Sequence, residues 1–176
     1  CLIGTVFGEV VIENSLIIDN GDGHSSAFVV ESEGVLKISQ STIVDNPSET
    51  STIVVEDGAE LTIDHSIIWG NRKESSTNIY KTINYDQNSL IDITYTALPQ
   101  SDITGTGVMH ETPRFMSEDN FSLRDDSPYL NAGLVAEEGA VDIDGKPRLN
   151  EIDFGAYEVS SESQNYLVTL YPQVGE

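Results

Sequence analysis

Carboxylates are the groups of this chain best placed to do chemistry. Asp19 and Asp45 hold equivalent places in two similar stretches, Asn14-Ser15-Leu16-Ile17-Ile18-Asp19-Asn20 and Gln40-Ser41-Thr42-Ile43-Val44-Asp45-Asn46. Gly70 takes that place in a third, His65-Ser66-Ile67-Ile68-Trp69-Gly70-Asn71. If the stretches stack as neighbouring strands, the two carboxylates lie ~4.8 Å apart. Such a pair suits a retaining glycosidase or a cation. It also suits a turn, the preferred reading, because each acid precedes an Asn. Trp69 is the single tryptophan. With Ile68 inward, Trp69 faces outward and is a candidate sugar platform, although packing beneath a following segment is the expectation.

Asp142-Ile143-Asp144-Gly145 resembles the opening of a calcium loop, but the later oxygen ligands and the closing Glu are missing. A tight turn is expected there, with one acid bonded to Arg148 or to backbone amides. Asp19-Asn20-Gly21-Asp22-Gly23 is a second calcium-like turn of the same weakness. Calcium is therefore the only cofactor considered, and none is expected. His24, His65 and His110 show neither metal-ligand spacing nor coupling to a nucleophile, so no catalytic residue is assigned.

What must position these residues is a repeat. Ser15, Ser41 and Ser66 are spaced 26 and 25 residues apart, too short for a pair of helices and suited to one coil of a β-solenoid. Aligned on the serines, Val10, Leu36, Leu61 and Ile91 form one column and Ile12, Ile38, Ile63 and Ile93 the next. Ile17, Ile43, Ile68 and Leu98 form a third. A second strand of each coil is visible in Phe28-Val29-Val30-Glu31 and Ile53-Val54-Val55-Glu56. Turn residues such as Glu33-Gly34 and Asp57-Gly58 separate the strands. The fold expected is all-β, a right-handed parallel β-helix of three to four coils over residues 1–98, with an insertion over 71–78. Asn20, Asn46 and Asn71 form a column expected to act as a structural ladder, each amide serving the backbone of its own turn and the next Asn.

From Gly107 the repeat stops. An open solenoid end leaves unpaired backbone groups over a bare apolar core. Phe115, Phe121, Leu123, Tyr129, Leu130, Phe154 and Tyr157 supply apolar surface to cover it, and Pro113, Pro128 and Pro147 stop strand addition. Residues 99–158 are thus expected to be a loop-rich cap. Residues 159–176 are expected to be a polar linker and an alternating, strand-like tail. The strand-like start at Cys1 predicts either a piece of a longer protein or end-to-end stacking on another copy.

Composition narrows the function. Thirty acidic against eight basic residues leave a formal net charge of -22, which repels nucleic acid and anionic lipid. One cysteine excludes an internal disulfide. No apolar run reaches the ~18 residues that a membrane-spanning helix needs, so no membrane insertion is expected.

The second half carries a family resemblance. Pro113-Arg114-Phe115, Phe121-Ser122-Leu123, Ser127-Pro128-Tyr129-Leu130-Asn131-Ala132-Gly133, Asp142-Ile143-Asp144-Gly145-Lys146-Pro147-Arg148 and Asp153-Phe154-Gly155-Ala156-Tyr157-Glu158 follow in order. Together with Ser66-Ile67-Ile68-Trp69-Gly70-Asn71, this set resembles secreted bacterial β-helix proteins of the choice-of-anchor Q or pectate-lyase-like type. Thr112 stands where the family has Asp, and Phe154 where it has Ile. The resemblance implies an extracellular or cell-surface location and a scaffold-and-cap role. It is shared by two kinds of parent. One is a non-catalytic adhesive segment contacting glycans or other copies of the chain. The other is a polysaccharide lyase or glycoside hydrolase whose cleft lies upstream. Only Lys37 is basic on a regular coil, which favours the first, since lyases of acidic sugars need cations near the substrate carboxylate.

Overall fold

The computed structural model describes residues 3–5, 7–20, 23–74 and 80–159. Cys1, the Gly21-Asp22 part of the second calcium-like turn, residues 75–78 of the expected insertion and the tail from 160 lie outside them. The fold is an all-β parallel solenoid of about three turns. The first turn contains β1 (Ile3–Thr5), β2 (Glu9–Glu13) and β3 (Leu16–Ile18), and the second β4 (Phe28–Val30), β5 (Val35–Ser39) and β6 (Thr42–Val44). The third holds β7 (Ser51–Val55), β8 (Glu60–Asp64) and β9 (Ile67–Trp69), and β10 (Lys81–Tyr85) and β11 (Leu90–Ile93) begin a fourth. β12 (Phe115–Ser117) and β13 (Asn120–Leu123) form an antiparallel hairpin.

Each strand pairs in parallel with its counterpart one turn away, giving sheets β1-β4-β7-β10, β2-β5-β8-β11 and β3-β6-β9. The register aligns Val10, Leu36, Leu61 and Ile91, and likewise Ile12, Ile38, Ile63 and Ile93. The inward side chains of successive turns therefore lie on one another. Leu36, Ile38, Ile43, Ile53, Leu61, Ile63, Ile68 and Ile83 are buried in one continuous core. Removing that area from water at ~25 cal/mol per Å² drives the stacking. At the first-turn edge Ile3, Val10 and Ile17 are only partly buried.

The coil has three strands where the sequence showed two. The apparent long strand turns at Asn14, Gln40, His65 and Tyr95, whose φ angles are 49, 45, 43 and 43°. A second corner falls at Asp19, Asp45 and Gly70, at 54, 51 and 68°. Left-handed backbone is inexpensive for Asn, Asp and Gly, which explains the acids and the glycine of this column. Both corners carry ladders. The N–H of Ser15 donates to Ser41 Oγ and that of Ser41 to Ser66 Oγ, each at 3.1 Å. The Ser41 and Ser66 hydroxyls donate to the carbonyls of Ser39 and Asp64 at 2.7 Å.

The cap does more than close an end. Residues 98–108 close it: Leu98 and Ile103 are buried in the solenoid core with Val108 against them, and Gln100 Oε1 accepts the Ile83 N–H at 2.9 Å. Residues beyond this lie along the flank of the β3-β6-β9 sheet. There Ile67, Ala97, Leu123, Tyr129 and Phe154 form a second core. Gly155 presses closest: its N–H donates to the His65 carbonyl at 2.8 Å, and the Ala156 N–H to Thr42 Oγ1 at 3.0 Å.

Candidate functional site

The second corner and the β12-β13 hairpin enclose a groove of about 370 Å³. Its floor is Val44, Trp69, Phe115 and Phe121, and its rim is Asp45, Gly70, Ser117 and Glu118. Strand β9 ends at Trp69, next to the corner at Gly70, and the indole lies on the flank with the hairpin residues. The side chain does both things considered from the sequence: it packs against the second core and it lines the groove. Phe115 and Phe121 meet edge to face at 5.3 Å, which stiffens the opposite wall.

Asp45 leans across the corner. A Cβ on Gly70 would lie 2.9 Å from Asp45 Oδ1, so the missing side chain of Gly70 is what admits the carboxylate. Partial burial pushes the Asp45 carboxyl above its ordinary value, and the charges of Asp19 and Glu118 push the same way. Asp19 sits one rung further along the column and is exposed. Glu118, brought in by the hairpin turn, is the acid that the sequence did not associate with this pair. No Lys or Arg lines the groove.

Asn46 and Asn71 of the asparagine column are buried and bonded to the turns of the solenoid. The Asn20 N–H donates to Asn46 Oδ1 at 2.9 Å and the Asn46 N–H to Asn71 Oδ1 at 2.8 Å. Asn46 Nδ2 reaches the carbonyls of Val44 and Ile17 at 2.7 and 2.9 Å, and Asn71 Nδ2 that of Ile43 at 2.9 Å. These bonds satisfy the backbone where the strand ladder turns the corner.

Asp142 and Asp144 behave differently from each other. Asp142 is buried; its Oδ1 accepts the N–H groups of Asp144 and Lys146 at 2.9 and 2.8 Å, and its Oδ2 that of Glu158 at 2.9 Å. Asp144 is exposed, with Lys146 Nζ at 3.6 Å. A calcium site needs about six to eight oxygens with open lone pairs, which this donor set does not offer. Among the described residues no group of three or more His, Cys, Asp or Glu is arranged around a common point for a metal.

Asp142 instead belongs to a buried charge cluster that draws the cap motifs together. Arg148, 2% exposed, donates from Nη1 to Glu158 Oε2 at 3.2 Å. From Nη2 it donates to the Gly155 carbonyl at 2.9 Å and to Asn14 Oδ1 of the first corner at 3.2 Å. Asp153 accepts the Asn131 and Val159 N–H groups, each at 2.7 Å. Burial pushes the Glu158 carboxyl up to about 7, and Asp153's charge adds to this; Arg148 and the Asp153 N–H only partly offset it. Burial raises Asp153 as well and lowers Arg148, whose charge the surrounding carboxylates sustain. One guanidinium thus ties Glu158 and the Gly155 carbonyl of the cap to Asn14 of the solenoid.

His65 is a second tie. It is buried, stacks on Tyr95 at 4.9 Å, meets Asp64 Oδ2 through Nδ1 at 3.1 Å and accepts the Leu134 N–H at Nε2, also at 3.1 Å. It forms one wall of a larger cleft of about 790 Å³ between the first corner and residues 134–141, where Glu13, Asp64, Glu137 and Glu138 are the charged residues. Comparison with protein-family models, with curated proteins and with solved structures finds no match for this chain. The class defined is therefore structural: a parallel β-solenoid with a flank-docked cap and an aromatic, acid-rimmed groove between them.

Proposed function

We propose that the chain is a non-catalytic segment of a secreted or cell-surface β-helix protein, of the choice-of-anchor Q or pectate-lyase-like type, that contacts glycans through the Trp69 groove. The observation that carries this is the groove itself: an indole and two phenyl rings at its floor, with carboxylates at its rim. Aromatic faces take the C–H face of a sugar ring, and rim carboxylates accept its hydroxyls. The same rim, on a surface of net charge -22, repels uronic acid polymers. Binding of neutral oligosaccharides, followed by titration calorimetry, tests the reading. Wild-type chain binds, and Trp69→Ala loses binding while circular dichroism shows it still folded, at a lowered melting temperature because Trp69 also packs on the second core. Binding to none of the sugars, or binding indifferent to Trp69→Ala, defeats it.

The runner-up is a glycoside hydrolase or polysaccharide lyase segment. It is favoured by Asp45, whose carboxyl is pushed upward by partial burial and by the charges of Asp19 and Glu118, the direction a general acid needs. Turnover of an acidic or neutral polysaccharide, with or without calcium, that vanishes in Asp45→Asn would replace the first reading with this one. Association with other copies of the chain, the remaining partner expected from the sequence, is read out by light scattering over a dilution series.

A further inference from the structure

The groove's charge pattern is more selective than neutral sugar contact requires. Asp45 and Glu118 stand on opposite elements, the solenoid corner and the hairpin turn, and Asp19 follows on the next rung. Partial burial works against ionisation of Asp45, and the charges of Asp19 and Glu118 add to it. Nearby cations are engaged elsewhere. Arg114 and Arg124 of the hairpin region approach Asp126 at 3.4 and 3.3 Å. The groove therefore holds repelling carboxylates above three aromatic rings with no positive group among its lining residues.

We propose that this groove selects amine-bearing sugar units, those carrying an ammonium in place of a hydroxyl. The inference rests on the glycan reading above and names its ligand class. An ammonium placed between Asp45 and Glu118 relieves the repulsion that the empty rim sustains, and each carboxylate accepts a charge-assisted hydrogen bond from it. The Trp69, Phe115 and Phe121 rings below attract the cation through their faces and the sugar's C–H groups by contact. An N-acetylated unit offers the same ring but no charge, and a uronate adds a charge of the wrong sign. Exposed carboxylate–ammonium contacts are individually weak, so two or three of them amount to a preference of about tenfold.

The test compares four probes on the full chain by titration calorimetry at low salt: β-1,4-linked hexamers of glucosamine, of N-acetylglucosamine and of glucose, and hexagalacturonate. The expected order is glucosamine about tenfold tighter than N-acetylglucosamine or glucose, with no binding of hexagalacturonate. The preference shrinks at high salt and disappears in the double variant Asp45→Asn, Glu118→Gln, while the two neutral hexamers still bind. Trp69→Ala weakens all three. Equal affinity for glucosamine and N-acetylglucosamine hexamers overturns the amine selectivity and leaves glycan contact standing. Glucosamine binding that is unchanged in Trp69→Ala assigns the effect to the general negative surface and overturns the site. Failure of every hexamer to bind removes the glycan reading itself.

Discussion

Glu158 offers the sharpest test of how the cap is held. It is 5% exposed, accepts hydrogen bonds from Arg148 and the Asp153 N–H, and sits beside Asp153, so burial and like charge push its carboxyl up to about 7. Between its ordinary value and 7 the folded chain keeps a proton that the unfolded chain has released. The native state then binds more protons than the unfolded state, and stability falls as pH rises through this window. Below the ordinary carboxylate range the contribution is fully present; above 7 it is gone. A carboxyl shifted from 4.5 to about 7 changes stability by about 3 kcal/mol across that interval. Glu158→Gln holds the side chain neutral at every pH and retains an oxygen for the Asp153 N–H. Urea unfolding at half-unit steps from pH 4 to 8 reads the comparison. The variant matches wild type near pH 4 and becomes progressively the more stable of the two, by about 3 kcal/mol at pH 8. Parallel profiles, or a variant that loses ground as pH rises, would refute the reasoning and mean that the Arg148 ion pair outweighs the cost of burying the Glu158 charge.

Three further perturbations address the stack and the cap. Asn46→Leu strands the Asn20 N–H and the Val44 and Ile17 carbonyls; it should cost about 1–3 kcal/mol, seen as a lowered melting temperature, and an unchanged one counts against the ladder. Gly155→Ala puts a methyl 2.5 Å from Thr42 Oγ1 at a φ of 91°, so it should loosen the cap from the β6 flank and raise proteolysis after residue 110 without unwinding the coils. Ile38→Ala, in the middle of a four-deep column and 1% exposed, should cost about 2–5 kcal/mol in urea unfolding.

The columns were legible because a parallel solenoid converts spacing in sequence directly into stacking in space. Ile12, Ile38, Ile63 and Ile93 needed only a period to be aligned, and the structure aligns them. The corners at Asn14, Gln40 and His65 were not legible. A single left-handed residue turns the chain while the run of apolar residues on either side continues, so two strands read as one. That Gln and Tyr occupy this column hid it further, since neither advertises such a conformation as Asn does. The flank docking of the cap was hidden for a different reason. Thr42 and Ile67 look like ordinary outward strand residues until Gly155 and Phe154 cover them. The groove was half visible: Asp45 and Trp69 announce themselves beside the repeat, whereas Phe115, Glu118 and Phe121 join them only through the fold of a hairpin some fifty residues later. Asp142 looks in sequence like a turn acid or calcium ligand; of the partners expected for it, the backbone N–H groups are found, whereas Arg148 pairs with Glu158 instead. The proximity of Asp142 to Glu158 depends on two loops closing on each other.

The parallel register itself is tested most directly by disulfide trapping. Lys37 and Thr62 are outward Cα partners on β5 and β8, whereas Lys37 and Asp64 are offset by two residues. In a Cys1→Ser background, Lys37→Cys with Thr62→Cys should oxidise rapidly to an intrachain disulfide, because adjacent strands place the Cα atoms ~4.8 Å apart, within disulfide reach. Lys37→Cys with Asp64→Cys should stay largely reduced under the same mild oxidation. Equal trapping of the two pairs, or preference for the offset pair, would contradict the stacked register on which the fold, the ladders and the groove all depend.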